Sequence, residues 1–353
     1  MTAVTERNEL AITDPGHGEA FTDHMISIDY TPEHGWSRPT LQRLADLSFH
    51  PATIGLHYGQ VCYEGLKAHR RVDGSMVAFR PRDNARRFQS SARRLGMPEL
   101  PEELFLESVE QLVRADACRL SDNPDHSIYL RPLLFGTDVS LMLRPSRTYR
   151  FLLMAFVAAS FFSEDMAAMS VFVNHDYPRA FPGGTGDVKV AGNYAPTFAA
   201  QQAADKLGCP QVVWLDATER RYLEEMSGMN FCLVRGTGAD ARIVTPTLTG
   251  SLLPGVTRRT ILRLAERCGL AGTEERISLE QLRADAADGT VTEAFACGTA
   301  AVVTPIGRFV DRDGDITIGT GRPGPVTARL RGALGDLQHG LLADTDGWLH
   351  PCD

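Results

Sequence analysis

Lysine is rare in this chain, and its rarity marks the residues that could do amine chemistry. Only three of the 36 lysine and arginine residues are lysines, namely Lys67, Lys189 and Lys206. A guanidinium does not lose its proton in a protein, whereas a lysine amine can lose one and act as a nucleophile. Lys189 lies in a glycine-rich bend, 183–192, where backbone can approach a ligand closely. The residues alone leave two interpretations of Lys189 open, a nucleophile or a surface-loop lysine, whereas Lys206 is expected to be solvated.

The composition limits the classes of protein to which the chain can belong. With 353 residues, 43% of them hydrophobic, it is too long for one ordinary core and has enough apolar residues for two. The net charge is −8 and no basic cluster is interleaved with aromatic residues, which argues against a nucleic-acid partner. The N-terminus lacks the apolar stretch of a signal peptide, and the most apolar run, 151–162, is too short to span a bilayer. We expect a soluble protein without membrane contact.

The cysteines favour a reducing compartment. None of the seven belongs to a Cys-x-x-Cys pair, and the histidines lack the spacing of metal ligands. A disulfide scaffold and a zinc site are both disfavoured by this pattern. We therefore expect a cytoplasmic protein with no bound metal.

The hydrophobic pattern predicts an α+β protein with two domains. Residues 1–23 are polar and are expected to form a mobile N-terminal segment, followed by a small α+β domain over 24–159. A polar and acidic stretch predicts an interdomain loop at 160–168, and 169–353 is predicted to form a large ligand-binding domain.

Periodicity and turn residues place the elements within these domains. In the small domain, helices are predicted over 39–47, 82–95 and 102–120, a hairpin turn at Asp73-Gly74, and buried strands over 127–135 and 148–158. In the large domain, strands are predicted over 169–174, 212–215, 231–235, 242–244, 292–296 and 301–304, and helices over 194–207, 257–268, 278–286 and 326–342.

One glycine-rich motif is not a nucleotide site. Residues 236–241 fit the dinucleotide pattern G-x-G-x-x-A and follow a predicted strand. Another predicted strand comes next, whereas a dinucleotide site needs a helix N-terminus to hold the pyrophosphate. The motif therefore predicts a hairpin turn.

Two other stretches could bind charged groups. Gly255-Val256-Thr257 opens a predicted helix, so free N–H groups and the positive end of the helix dipole are available to an anion. A plain Pro-Gly turn capped by Thr257 is the alternative. The acidic pair Glu224-Glu225 could place a carboxylate in a cavity, although a surface acidic patch is the alternative that we expect for Glu224.

Four runs in the same order along the chain resemble the branched-chain aminotransferases, which are class IV enzymes dependent on pyridoxal 5'-phosphate (PLP). They are residues 181–196, Tyr-Leu-Glu-Glu-Met-Ser-Gly-Met-Asn at 222–230, Leu-Pro-Gly-Val-Thr-Arg at 253–258 and Cys-Gly-Thr-Ala at 297–300. The resemblance extends from about His57 to the C-terminus. It implies the two-domain fold type IV seen in D-amino-acid aminotransferases, with a smaller N-terminal α+β domain and a larger C-terminal pseudo-barrel domain.

The resemblance also assigns roles in binding the cofactor. It implies that Lys189 forms the covalent bond to PLP and is the catalytic residue, and that Glu225 holds the protonated pyridine nitrogen. It also implies that Tyr194 lies beside the phenolic oxygen of the cofactor. The phosphate is expected to contact Arg80, Gly255, Val256, Thr257 and Thr299.

Substrate contacts are implied mainly in the small domain. Tyr129 and Arg131 match a pair that binds carboxylates, and the planar guanidinium suits that task. Tyr63 and Gly65 match a wall of the substrate cavity, and the family gives Thr299 and Ala300 as N–H donors to the α-carboxylate. Tyr58 matches a residue lent to the neighbouring subunit, which implies a homodimer.

The implied reaction is transamination of Leu, Ile or Val with 2-oxoglutarate, giving branched 2-oxo acids and L-glutamate. Phe161, in the unusual run 160–166, stands where many relatives have a tyrosine and leaves the substrate preference open. The alternatives are a D-amino-acid aminotransferase, an aminodeoxychorismate lyase, an aminotransferase dedicated to another pathway, or a non-catalytic protein that binds PLP or a nucleotide.

Overall fold

Two β-sheets, one in each of two units of the chain, organise the fold. The structure is a computed structural model, and it describes residues 11–16, 18–159 and 167–352. Unit 1 comprises Met1–Phe161, Lys189–Gly192 and Asp336–Asp353, and unit 2 comprises Phe162–Val188 and Asn193–Gly335. The segment Lys189–Gly192 is therefore grouped with unit 1, although the residues before and after this segment belong to unit 2.

Unit 1 contains a nine-stranded sheet in which every strand pair is antiparallel. Along the main path the strand order is β19-β6-β5-β7-β8-β1-β2, while β3 pairs with β1 and β4 pairs with β7. The strands are β1 Phe21–Thr31, β2 Gly35–Trp36, β3 Thr40–Arg43, β4 Val61–Tyr63, β5 Leu66–Arg70, β6 Met76–Phe79, β7 Ser127–Gly136, β8 Tyr149–Ala158 and β19 Leu349–Pro351.

The helices of unit 1 are α1 Ile54–Tyr58, α2 Pro81–Arg94 and α3 Glu102–Asp116. Helix α3 packs its apolar side against β1 and β8. At this contact Phe88, Phe105 and Phe151 form an aromatic cluster with ring centroids 5.8 to 6.3 Å apart. All three rings are fully buried, so this cluster is the centre of the unit 1 core.

Unit 2 contains a ten-stranded mixed sheet in the order β14-β13-β12-β16-β17-β9-β10-β11-β15, with β18 paired to β17. Its parallel pairs are β9 with β10, β9 with β17 and β13 with β14. The strands are β9 Met169–Asn174, β10 Gln211–Leu215, β11 Tyr222–Met226, β12 Asn230–Arg235, β13 Arg242–Pro246, β14 Ala271–Glu275, β15 Ile277–Ser278, β16 Val291–Gly298, β17 Val302–Val310 and β18 Ile316–Thr317.

The remaining helices are α4 Phe198–Lys206, α5 Val256–Arg267, α6 Leu279–Ala287 and α7 Pro325–Gln338, whose last residues are grouped with unit 1. The main core of unit 2 packs several strands of its sheet against α6, through buried residues such as Val171, Phe231, Leu282 and Phe309. A smaller core packs Ala200 and Ala204 of α4 against β10. Within the described residues, no helix is long and apolar enough to cross a membrane.

Most predicted elements are present, with a few corrections. The α+β class, the hairpin with Gly74 at φ 87° and the long helices and strands are confirmed. Residues 236–241 connect the antiparallel strands β12 and β13, so the predicted hairpin there is also confirmed. The helix predicted over 39–47 is wrong, because residues 40–43 form strand β3 paired to β1. Local periodicity could not show this pairing, since it is made with a strand elsewhere in the sequence.

Candidate active site

Lys189 is held in unit 1 by backbone contacts on both of its sides. Its N–H donates to Ser91 Oγ at 2.9 Å, and its carbonyl accepts from the Tyr63 N–H at 3.1 Å. Val190 forms an isolated antiparallel bridge with Cys62, next to Tyr63 in β4. The lysine backbone is therefore fixed against β4, and its Nζ lies 5.0 Å from the centroid of the Tyr63 ring.

A buried carboxylate lies beside this lysine. Glu64 has no exposed surface and accepts from Arg87 Nε at 2.7 Å, Arg87 Nη2 at 2.8 Å and Asn84 Nδ2 at 2.8 Å. Burial by itself would raise the pKa of Glu64, but Arg87, Lys189 and Asn84 together hold that pKa below its ordinary value. Glu64 was not among the predicted site residues. The sequence feature that could have indicated this buried acid is its position as the single acid in the otherwise apolar segment 61–66.

The four predicted substrate residues of β4, β7 and the connection between β4 and β5 cluster in unit 1 with Lys189. Antiparallel pairing places Tyr63 opposite Leu133 in β7, so it shares a sheet face with Tyr129 and Arg131. The Arg131 guanidinium lies 5.0 Å from the Tyr63 ring centroid and 5.5 Å from the Tyr129 ring centroid. A side-chain carbon on Gly65 would lie 2.0 Å from the Tyr129 hydroxyl oxygen. The Tyr63 ring therefore lies near two cationic side chains, those of Lys189 and Arg131.

Arg80 and Tyr58 occupy other places in unit 1. Arg80 lies between β6 and α2 with φ 53°, donates from Nε to Asp83 Oδ2 at 2.8 Å, and has its guanidinium 4.6 Å from the Trp348 ring centroid. Tyr58 is 46% exposed, and its hydroxyl donates to the Leu141 carbonyl at 2.6 Å. The roles of Arg80 at a phosphate and of Tyr58 in a neighbouring subunit remain predictions.

In unit 2, Glu225 is buried and held by several donors. Asn230 Nδ2 donates to its Oε2 at 2.9 Å, the Leu253 N–H donates to its Oε1 at 3.1 Å, and Arg179 forms an ion pair with Oε1. A turn closed by the Met226 N–H and the Met229 carbonyl connects β11 to β12 and brings Glu225 to Asn230. Arg179 was missed in the sequence analysis, because an arginine among 33 has no local signal that separates it from the others.

Helix α5 begins beside the same carboxylate. Asn230 Nδ2 also donates to the Leu253 carbonyl at 3.1 Å, and a side-chain carbon on Gly255 would lie 2.1 Å from Asn230 Oδ1. Gly255 precedes the helix with φ −62° and ψ 134°, and the buried Val256 and Thr257 form its first turn. Gly255 is the N-cap residue of this 12-residue helix, and it has no side chain that could accept a hydrogen bond from the first N–H groups. Its N-terminal N–H groups can therefore serve an anion.

The loop with Thr299 and Ala300 lies next to this site in the sheet. Asn230 pairs with Cys297 in β16, so the loop follows directly after the strand that neighbours Asn230. Val302, the first residue of β17, has φ 56°, a conformation that costs free energy in a β-branched residue and is often found at functional sites. Unit 2 therefore brings together Glu225, the start of α5 and the 299–300 loop.

The glycine-rich bend is closed by Asn193. Its Nδ2 donates to the Thr185 and Val188 carbonyls at 2.7 and 2.9 Å, and Thr185 Oγ1 donates to its Oδ1 at 2.6 Å. Tyr194 follows, half-buried, and its carbonyl accepts from the Thr197 N–H at 2.9 Å. Phe161 lies outside the described residues, as does the rest of 160–166.

The prediction that Glu224 lies on the surface is wrong. Glu224 is only 4% exposed, accepts from Ser251 Oγ, and receives a longer hydrogen bond of 3.4 Å from Thr249 Oγ1. Burial raises the pKa of Glu224 above its ordinary value, although Ser251 and Arg179 oppose the increase. Two adjacent acids therefore differ, because their side chains alternate along β11 and meet different partners.

Comparison with known proteins identifies the family. The family model described as amino-transferase class IV matches residues 62–309. The chain is 49% identical over 342 residues to the branched-chain-amino-acid aminotransferase of Mycolicibacterium smegmatis, covering 97% of this chain and 93% of the relative.

Solved structures agree with this result. The Escherichia coli branched-chain amino acid aminotransferase matches with TM-score 0.78 and 28% identity, covering 94% of this chain and 100% of that chain. The T.th. branched-chain amino acid aminotransferase, complexed with N-(5'-phosphopyridoxyl)-L-glutamate, matches with TM-score 0.77 and 25% identity, covering 95% and 100%. The predicted fold type and family are confirmed, and the chain belongs to the branched-chain-amino-acid aminotransferases, within the class IV aminotransferases.

Proposed function

We propose that the protein transfers the amino group of Leu, Ile or Val to 2-oxoglutarate with PLP as its cofactor. The observation that carries the cofactor assignment is the arrangement in unit 2, where Asn230 joins a buried carboxylate, Glu225, to the N-terminus of α5. A pyridine nitrogen that must stay protonated needs the first group, and a phosphate is suited to the second. The donor set thus fits a phosphorylated pyridine.

When bound, PLP withdraws electrons from the substrate and so makes the Cα proton acidic. Lys189 is the residue of this chain that would move that proton, because its amine would hold the cofactor aldehyde as a nucleophile and would act on the proton as a base. Its fixed backbone limits the positions that Nζ can reach. In the second half-reaction, Lys189 returns a proton to Cα of the product amino acid.

The proposed substrates are bound by a charged side chain and by apolar surfaces. Arg131 offers two parallel N–H donors to a carboxylate, which suits the distal carboxylate of glutamate or 2-oxoglutarate. The Tyr63 and Tyr129 rings beside it provide apolar surface that Leu, Ile and Val can bury. The Thr299 and Ala300 N–H groups are assigned to the α-carboxylate. We also assign Arg80 to the phosphate, Tyr194 to the phenolic oxygen and Phe161 to the lip of the substrate cavity.

A homodimer is the proposed assembly, with Tyr58 reaching the site of the neighbouring subunit. Several large apolar side chains around Tyr58 are exposed in unit 1, and a second copy of the chain would cover them. They are Leu56, Val139, Leu141, Met142 and Leu143, between 58% and 86% exposed. We further propose that the protein acts in the cytoplasm and that residues 160–168 are the loop connecting its two domains in sequence.

An absorbance titration tests the reaction. Purified protein reconstituted with PLP is expected to show the absorbance band of a lysine-bound cofactor, which L-leucine depletes and 2-oxoglutarate restores. D-Alanine is expected to leave the band unchanged. Depletion by D-alanine and not by L-leucine would support a D-amino-acid aminotransferase, and a band unaffected by either amino acid would contradict transamination.

A further inference from the structure

Arg179 joins three segments of unit 2 through one guanidinium. Its Nη2 donates to the Gly186 carbonyl at 2.9 Å and to the Ser251 carbonyl at 2.7 Å, and the same group forms the ion pair with Glu225. The side chain is 4% exposed. The glycine-rich bend, the segment before α5 and the predicted nitrogen-binding carboxylate therefore share one buried cation.

The surroundings of this guanidinium leave little freedom to move. A side-chain carbon on Gly186 would lie 2.2 Å from the Ser251 carbonyl oxygen and 2.6 Å from Ala180 Cβ. The backbone of Gly186 is thus packed closely against the Ser251 carbonyl. A guanidinium fixed in this way also fixes the carboxylate oxygen to which it is paired.

Arg179 interacts differently with the two neighbouring acids, Glu224 and Glu225. Glu225 is in direct contact with Arg179, whereas Glu224 accepts from the Ser251 and Thr249 hydroxyl groups. Burial raises the pKa of Glu224 because desolvation penalises the charged form, although Ser251 and Arg179 oppose the increase. An arginine keeps its charge when buried, so it can hold Glu225 as a carboxylate before any ligand arrives.

We propose that Arg179 is a positioning residue that holds the Glu225 carboxylate toward the ring nitrogen of the cofactor. This inference rests on the proposed function, because it assigns Arg179 a role in binding the pyridine. It goes beyond that function by naming a residue that acts through Glu225 and touches neither substrate nor the reacting atoms. Loss of Arg179 should weaken the binding of pyridines that carry a ring nitrogen and spare those that do not.

The test compares PLP with its 1-deaza analogue, which has a carbon in place of the ring nitrogen. Both are titrated into apoprotein, and their dissociation constants are measured by protein fluorescence. Wild-type protein is expected to prefer PLP. In Arg179→Met this preference should fall roughly 10- to 100-fold, because a hydrogen bond to a charged group is lost or misaligned. The affinity for the deaza analogue should change less than about twofold.

Three further variants separate positioning from general structural support. Arg235→Met removes another largely buried arginine of unit 2, one paired with Glu275 and Asp285, and should leave the preference for PLP unchanged. In a Glu225→Gln background, Arg179→Met should cause no additional loss of preference, since both changes act on one contact. Arg179→Lys keeps the charge and should retain part of the preference, and it replaces Arg179→Met if that variant does not fold.

The outcomes also distinguish this inference from the proposed function. Equal losses for PLP and the deaza analogue in Arg179→Met, or additive losses in the double variant, would overturn the positioning role. A wild-type protein that transaminates leucine but binds both ligands equally would also overturn it, while leaving the proposed function intact. Absence of leucine turnover in a wild-type protein that strongly prefers PLP would count against the proposed function alone.

Discussion

Gly65 lies so close to Tyr129 that a side-chain carbon at position 65 would be 2.0 Å from the tyrosine hydroxyl oxygen. Tyr129 has little room to retreat, because its ring stacks on Phe156 with centroids 4.7 Å apart and an interplanar angle of 16°. Arg131 lies over the same tyrosine ring. The conformation of one predicted substrate residue therefore depends on the absence of a side chain at another.

Gly65→Ala should consequently lower kcat/KM for L-leucine by about tenfold or more. The extra methyl group must displace Tyr129, and overpacking of this kind costs about 1–3 kcal/mol. Steady-state kinetics and thermal unfolding are measured together. Gly332→Ala is the control, since a side-chain carbon at this helical position meets no atom within 4 Å. Unchanged kinetics in Gly65→Ala would show that Tyr129 does not contribute to substrate binding.

Lys189→Ala should abolish turnover while the protein remains folded. The substitution removes the proposed nucleophile but keeps the backbone contacts with Ser91 and Tyr63. Turnover is measured with leucine and 2-oxoglutarate, folding by circular dichroism, and cofactor attachment by mass spectrometry after borohydride reduction. Lys206→Ala removes an exposed lysine and should behave as wild type. Transamination above a trace level in Lys189→Ala would contradict the assignment of the catalytic lysine.

Glu225→Gln should reduce the rate of transamination by about two orders of magnitude or more, while PLP still binds. The amide keeps the shape of the side chain but carries no negative charge to hold a proton on the ring nitrogen. Glu224→Gln is the matched control, because burial raises the pKa of Glu224 and an amide resembles its neutral form. If Glu224→Gln proved the more damaging change, the nitrogen-binding carboxylate would have been assigned to the wrong acid.

Glu64→Gln should destabilise the protein in a pH-dependent manner. Breaking one side of the buried pair with Arg87 is expected to cost about 3–5 kcal/mol near neutral pH. The pKa of Glu64 is lowered in the folded state, so its contribution is present above the unfolded-state pKa and disappears as pH falls through the folded-state pKa. The difference in unfolding free energy from wild type should therefore shrink below about pH 4.5.

Urea unfolding at a series of pH values measures this difference. Glu102→Gln is the control, since Glu102 pairs with two exposed arginines, Arg82 and Arg86, and is expected to contribute less than about 1 kcal/mol. A Glu64→Gln effect that stayed constant from neutral to acidic pH would mean that the ion pair with Arg87 does not stabilise the folded protein.

Phe161→Tyr should shift selectivity toward glutamate by only several-fold. If Phe161 contacts the substrate as proposed, the added hydroxyl would donate a hydrogen bond to a carboxylate or water, and one such bond contributes about 0.5–1.5 kcal/mol. The ratio of kcat/KM for leucine and glutamate is compared in the parent and the variant. An unchanged ratio would indicate that the 160–166 segment does not select the substrate.

The sequence by itself determined the features that depend on neighbouring residues. Helices such as α2 and α5, the turn at Gly74 and the buried strands β7 and β8 follow from short-range periodicity and backbone preferences. The family also follows from the sequence, because motifs such as 222–230 are contiguous. The functional roles of the individual site residues and the boundary at 160–168 stay predictions.

Only the tertiary structure decided which distant residues meet. Glu64 and Arg87 form a buried pair, Arg179 contacts Glu225, and Gly65 lies against Tyr129 although many residues separate the members of each pair. The burial of Glu224 depends on Ser251 in the same way. Local sequence cannot specify such contacts, because the free energy of a buried charge is set by whichever partners the folded chain places around it.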